Sequence, residues 1–222
     1  MAIFLDTSNI EEVKEYNNKG IIRGVTTNPS ILVKQGIVSN LDSIANHCLE
    51  LARLVAPLPL SVEVTSNDKE EMIAQAQFFV KLSPNINIKI PIHGPQGELH
   101  NLEVVKELET KHNIRVNVTA MMSAQQCFLA ALAGASYVSL FGGRVNNMGY
   151  NTIQEIKKLR TLLDMHHLKA KIIMGSTREV LNVVEWLGAG AHIVTVAPQF
   201  LKGMIVHPYS KETVQMFLND AK

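Results

Sequence analysis

Cysteine is nearly absent from this chain: its 222 residues include only Cys48 and Cys127. Both fall in helix-like stretches without metal-ligand spacing, which argues against a disulfide framework and suits reduced core thiols in a cytoplasmic protein. Aromatic residues make up 5% of the chain and charged residues 18%, and the net charge is +1. No general field therefore draws the chain to nucleic acid or to an acidic membrane, and no basic-aromatic interleaving suits a nucleic-acid surface. No apolar run is long enough for a membrane span, and Met1-Ala2-Ile3-Phe4 lacks signal-peptide form. No G-x-G-x-x-G turn follows an early strand, which weakens a doubly wound open sheet. His166-His167 has no accompanying ligand set and reads as an exposed helix end. Hydrophobic residues reach 46%, enough for a packed core, in which Trp186 and the nine methionines find their simplest place.

Ile3 to Asp6 reads as a strand ending on an acid, and Ser8-Asn9-Ile10-Glu11 has capping-box form opening a helix. Ile21 to Thr26 is a second strand running into the polar turn Thr27-Asn28-Pro29-Ser30. A helix covers roughly Leu41 to Val55. Leu60 to Val64 is a third strand, with Asn67 capping the helix after it. Asn87-Ile88-Lys89-Ile90-Pro91 is a fourth, followed by a charged helix to about His112. Strands at Ile114 to Thr119, Ser136 to Phe141, Lys171 to Ser176 and His192 to Val196 follow. Capping boxes at Ser123 and Thr152 open two of the helices between them. The last apolar segment, about Gln199 to Leu218, carries Pro208 and should break there. Eight strands alternating with helices predict a single (β/α)8 barrel over residues 1–222, with a C-terminal helical extension at about 199–222.

The fourth strand organises the functional reading. Ile86, Ile88 and Ile90 share one face and Asn87 and Lys89 the other. A lysine in a buried strand is costly unless paired or neutral, and so placed it is a candidate amine nucleophile. The competing reading is an ion-paired structural lysine. Strand parity separates the two. Phe4 shares a face with Asp6, Ser61 with Glu63, Asn117 with Thr119, Tyr137 with Ser139 and Phe141, and Met174 with Ser176. These polar sets should point into the barrel near the C-terminal ends of the strands, where such barrels keep their active sites.

The same residues carry a resemblance. Phe4-Leu5-Asp6-Thr7, Gly24-Val25-Thr26-Thr27-Asn28-Pro29-Ser30, Ser61-Val62-Glu63-Val64, Ile88-Lys89-Ile90-Pro91, Asn117-Val118-Thr119, Phe141-Gly142-Gly143-Arg144 and Ser176-Thr177-Arg178 look like transaldolases. The closer likeness is to the short transaldolase and fructose-6-phosphate aldolase branch. The resemblance implies a (β/α)8 barrel, a Schiff-base lysine at Lys89 and no metal or other cofactor. It also implies a homo-oligomer, a pentamer or decamer, whose C-terminal segment packs on a neighbouring subunit.

In that reading a dihydroxyacetone unit passes from fructose 6-phosphate or sedoheptulose 7-phosphate to an aldose phosphate. Asp6 takes the proton of the C4 hydroxyl, and Glu63 relays protons through a water held by Thr119. Thr27, Asn28, Asn117, Ser139 and Phe141 line the sugar, while Arg144, Ser176 and Arg178 hold the phosphate. Glu63 and Phe141 are the transaldolase choices where aldolases of this branch usually carry glutamine and tyrosine, which favours transfer over net cleavage. The chain departs from the family's usual pattern at Leu140, Gly142, Asn146, Asn147, Gly175 and Ala197, expected near the anion end. A fructose-6-phosphate aldolase, a sulfofructose transaldolase and a non-catalytic sugar-phosphate-binding barrel are the alternatives.

Overall fold

The computed structural model describes residues 2–222. Eight parallel strands pair in chain order and close on themselves, β1 against β8. They are β1 (Ile3–Asp6), β2 (Val25–Thr26), β3 (Leu60–Glu63), β4 (Ile86–Pro91), β5 (Val116–Met121), β6 (Tyr137–Phe141), β7 (Lys171–Gly175) and β8 (Ile193–Val196). The helices are α1 (Ile10–Asn18), α2 (Pro29–Lys34), α3 (Leu41–Val55), α4 (Lys69–Leu82), α5 (His100–Lys111) and α6 (Ala124–Leu132). They continue with α7 (Gly142–Asn147), α8 (Thr152–Met165), α9 (Val180–Gly188), α10 (Pro198–Ile205) and α11 (Pro208–Asp220). This is the expected (β/α)8 barrel.

Two layers of packing follow from strand alternation. Leu5, Val62, Ile88, Ile90, Val118 and Leu140 point outward into the main core shared with the helices. Phe4, Tyr137, Ile173 and Ile193 point inward and form a separate plug in the lower barrel. Trp186, which is 1% exposed, belongs to the outer core. Cys48 and Cys127 are free and buried on α3 and α6.

The structure corrects several sequence expectations. The second strand is only two residues long, because the chain from Ile21 approaches the barrel through single backbone bonds such as Arg23 N–H to the Ile3 carbonyl (2.7 Å). The stretch expected to be a turn at Pro29 is the helix α2, with Asn28 as its cap and Pro29 at its first position. Three caps fall one residue away from the expected ones: Asn9, Asp68 and Asn151 cap α1, α4 and α8. In each case an Asn or Asp side chain takes the N–H of the third helical residue. Asn67 instead bonds Glu98 (3.1 Å). Glu155 leaves its own helix start and accepts from Ala124 N–H (2.8 Å). On β7 the expected inward face is reversed. Met174 packs outward with the helices, while Ile173 and Gly175 face inward, in register with Ser139 and Phe141. Ser176 rejoins the interior only because it leaves the strand in the left-handed region at φ 60°.

Candidate active site

Lys89 sits midway up β4 with Glu63 and Asn117 beside it in register on the flanking strands. It is 5% exposed. Its Nζ lies 2.9 Å from Glu63 Oε2 and donates to the Thr27 carbonyl at 2.9 Å. The ammonium therefore leaves water only by gaining a carboxylate and a carbonyl, the condition under which a buried cation is tolerated.

Asp6 stands at the end of β1 and lines a cavity of about 260 Å³ that Lys89 also lines. Thr26 Oγ1 donates to Asp6 Oδ1 at 2.7 Å and also makes a short contact with Thr195 Oγ1. Burial raises the Asp6 carboxyl above its ordinary range, and the nearby Glu63 charge adds to that. The Thr26 hydrogen bond and the Lys89 charge pull the other way without cancelling it.

A polar chain crosses the barrel below the cavity mouth. Ser139 Oγ donates to Asn117 Oδ1 at 2.7 Å, and Asn117 Nδ2 donates to Ser61 Oγ at 3.3 Å. Thr119 Oγ1 and both ends of the Asn87 amide are buried with no partner among the described residues. Beyond Thr119 the strand bulges at Ala120, whose φ of 60° shifts the β5–β6 register and sends Met121 outward. The interior face is thus polar where branched apolar residues would otherwise fill a barrel.

Most of the expected site residues converge on this cavity. Asp6, Asn28, Lys89, Asn117, Thr119, Ser139, Phe141, Arg144, Ser176 and Arg178 all line it. Arg144 stacks its guanidinium over the Phe141 ring at 5.3 Å. Glu63 does not line the cavity but reaches it through Lys89. Thr27 does not face it either: its hydroxyl donates to the Ser61 carbonyl (2.9 Å), and its contribution is the carbonyl that holds Lys89. Asn28 has two duties, because its Oδ1 caps α2 by accepting from Ile31 N–H at 2.9 Å. Its amide NH2 is left as the group available to a ligand.

Ile31, Lys34 and Thr195, which the sequence reading does not single out, also line the cavity, as do Thr26 and Ser30, to which it gives no role of their own, and Gly175. Thr195 alternates with the inward Ile193, a signal the eighth strand carried. Ser30, Ile31 and Lys34 share one face of α2, a spacing that is invisible when the stretch is read as a turn.

The departures from the family pattern do not all gather at this cavity. Leu140 points into the outer core, and Asn146 Oδ1 accepts from Thr152 Oγ1 (2.7 Å). A side chain at Gly142 would meet Trp186 at 2.7 Å, and one at Gly143 would collide with the Ser176 carbonyl. The close approach at this glycine pair is to the protein's own chain. Gly175 lines the cavity, and Ala197 lines a second one that adjoins it. His93 and Gly94 line a different cavity of about 620 Å³, together with Val64, Asn67 and Pro95.

No helix among the described residues is long and apolar enough to cross a membrane. Among solved structures, the chain is similar to the thiamine phosphate pyrophosphorylase of Pyrococcus furiosus at a TM-score of 0.60 and 13% identity. That likeness covers 88% of this chain and 85% of the other and speaks to the fold alone. A protein named "Probable transaldolase" from Carboxydothermus hydrogenoformans is 41% identical over 220 residues, covering 99% of this chain and 97% of its own. Another of that name from Alkaliphilus metalliredigens is 37% identical with the same coverage. The family model described as Transaldolase/Fructose-6-phosphate aldolase matches residues 3–222. With full-length relatives and a family match over almost its whole length, the chain belongs to the transaldolase/fructose-6-phosphate aldolase family.

Proposed function

We propose that this chain is a class I transaldolase that moves a dihydroxyacetone unit from a ketose phosphate to an aldose phosphate through a Schiff base on Lys89. One observation carries the reading. An amine buried in the barrel lies 2.9 Å from a carboxylate, and a second carboxyl, Asp6, lines the same cavity.

The chemistry assigns roles by reach. Glu63 takes a proton from the Lys89 ammonium, and the freed lone pair attacks C2 of the ketose. Glu63 returns that proton to the C2 oxygen and then carries a second from the carbinolammonium nitrogen to the same oxygen, which leaves as water and yields an iminium. Asp6 then accepts the C4 hydroxyl proton. The C3–C4 bond breaks toward the iminium, an aldose phosphate departs, and an enamine stays on Lys89. The enamine C3 attacks the aldehyde of an acceptor, and Asp6 returns its proton to the new C4 oxygen. Water, polarised by Glu63 and received by the unpartnered Thr119 hydroxyl, hydrolyses the product iminium. An Asp6 carboxyl raised by burial suits a group that must both take and return a proton.

Phe141 supports transfer over cleavage. Its ring, packed beneath Arg144, brings no hydroxyl to the iminium, so the three-carbon unit waits for an acceptor. The Arg144, Ser176 and Arg178 end of the cavity suits the phosphate. The exposed apolar side chains of α10 and α11, among them Ile205, Val214 and Leu218, suit packing against a second copy in a homo-oligomer. The free, buried thiols suit a cytoplasmic setting.

The test is to supply fructose 6-phosphate with and without erythrose 4-phosphate. Glyceraldehyde 3-phosphate and sedoheptulose 7-phosphate should form steadily only with the acceptor present. Rapid accumulation of free dihydroxyacetone without acceptor overturns the assignment in favour of an aldolase.

A further inference from the structure

Some cations on this surface have carboxylate partners. Lys19, Lys69, Lys111, Lys158 and Arg160 each lie within salt-bridge distance of a glutamate or aspartate. Three that stand together at the cavity mouth do not. Among the described residues, Lys34, Arg144 and Arg178 have no carboxylate within that distance, although all three line the cavity that holds Lys89 and Asp6. Leaving three cations unpaired in one place is unfavourable by mutual repulsion unless an anion visits them.

Lys34 differs from the two arginines in origin and position. It comes from α2, on the opposite side of the mouth from the β6 and β7 loops, and it shares its helix face with Ser30 and Ile31. It also lines the adjoining cavity of about 530 Å³, in company with Arg178, Ser176 and Gln199. The acids lining that cavity are Asp6 and Glu12, and Glu12 is engaged by Thr7 Oγ1 at 2.7 Å. The inner cavity, about 260 Å³, falls below the roughly 300–1,000 Å³ of common small-molecule sites. A six- or seven-carbon chain attached to Lys89 therefore carries its charged end outward, to the wall the two cavities share.

We propose that Lys34 is a specificity residue of this site: it contacts the terminal anion of the sugar across from Arg144 and Arg178, and selects charged over uncharged aldehydes. The two arginines alone hold the anion from one side. Lys34 closes the opposite side and fixes the reach from the anion to the reacting carbon. This rests on the transaldolase reading of the cavity.

The experiment compares kcat/KM of the parent chain and of Lys34→Met for two acceptors, erythrose 4-phosphate and unphosphorylated glyceraldehyde, with one donor. The preference for the phosphorylated acceptor should fall about tenfold, mainly through KM, as expected for loss of one charge-assisted contact. Lys34→Arg should restore most of the preference. Damage to the helix alone lowers both acceptors together, and that result, or an unchanged preference, overturns the proposal. Borohydride trapping of dihydroxyacetone on Lys89 in the same preparations reads the Schiff base separately. An adduct with no change in preference sinks the Lys34 role and leaves the proposed function standing.

Discussion

Burial holds the Asp6 carboxyl above its usual range, and this has opposite consequences for stability and for catalysis. Below the unfolded value near 3.8, both folded and unfolded chains carry the proton and the fold loses nothing. As pH rises through the folded value, the unfolded chain ionises freely while the native site resists, so stability falls. Asp6→Asn removes that term. The variant should melt progressively higher than the parent as pH is raised across this window, while transfer falls by about 10²–10⁴-fold. A melting difference independent of pH contradicts the burial argument. Ser176 poses a second conflict. It is a non-glycine residue at φ 60°, a conformation that costs about 1–2 kcal/mol for side chains other than glycine, and its side chain is retained at the cavity. Ser176→Gly should raise the unfolding free energy measured in urea by about 1 kcal/mol and raise KM for phosphorylated substrates. A variant with unchanged KM would show that the hydroxyl plays no part in binding.

The short elements at the strand ends decide where the site residues point. The helix α2 exists because Asn28 caps it and Pro29 starts it, and that cap turns Ser30 and Lys34 toward the cavity. Asn28→Asp keeps an oxygen for the Ile31 N–H but replaces the amide donor. It should preserve the denaturation midpoint while lowering kcat/KM. Asn28→Ala should lower both, the stability by about 1 kcal/mol. Equal stability loss in the two variants contradicts the dual role. At this scale the sequence was least legible. Polar runs such as Thr27-Asn28-Pro29-Ser30 carry turn and helix-start signals at once, and adjacent candidates, Ser8 with Asn9 or Asn67 with Asp68, compete for one cap. Strand alternation likewise failed at Ser176, where a left-handed residue changes the side to which the chain points. The β5 bulge at Ala120 sends Met121 out of phase in the same way.

Across the whole molecule, alternation from β1 to β6 was readable because one face of each strand packs on helices and must be apolar. That alone placed Asp6, Glu63, Lys89, Asn117, Thr119 and Ser139 on the interior. The eight repeats of strand and helix made the closed barrel legible too. What no strand pattern conveys is the pairing of Lys89 with both Glu63 and the Thr27 carbonyl, since those contacts depend on three strand ends meeting. The helix α11 buries none of its residues, yet exposes Val214, Met216, Phe217 and Leu218. Light scattering should give a multiple of the 24.6 kDa chain mass, and Val214→Glu with Leu218→Glu should lower it. A parent protein that runs as a monomer contradicts the assembly.

The amine on β4 carries the proposed chemistry, and its decisive test is peptide mapping after borohydride reduction with fructose 6-phosphate. A three-carbon adduct is expected on Lys89, absent in Lys89→Ala and retained with reduced yield in Glu63→Gln. A reduced protein without that adduct, or with it on a different lysine, contradicts Schiff-base chemistry at Lys89.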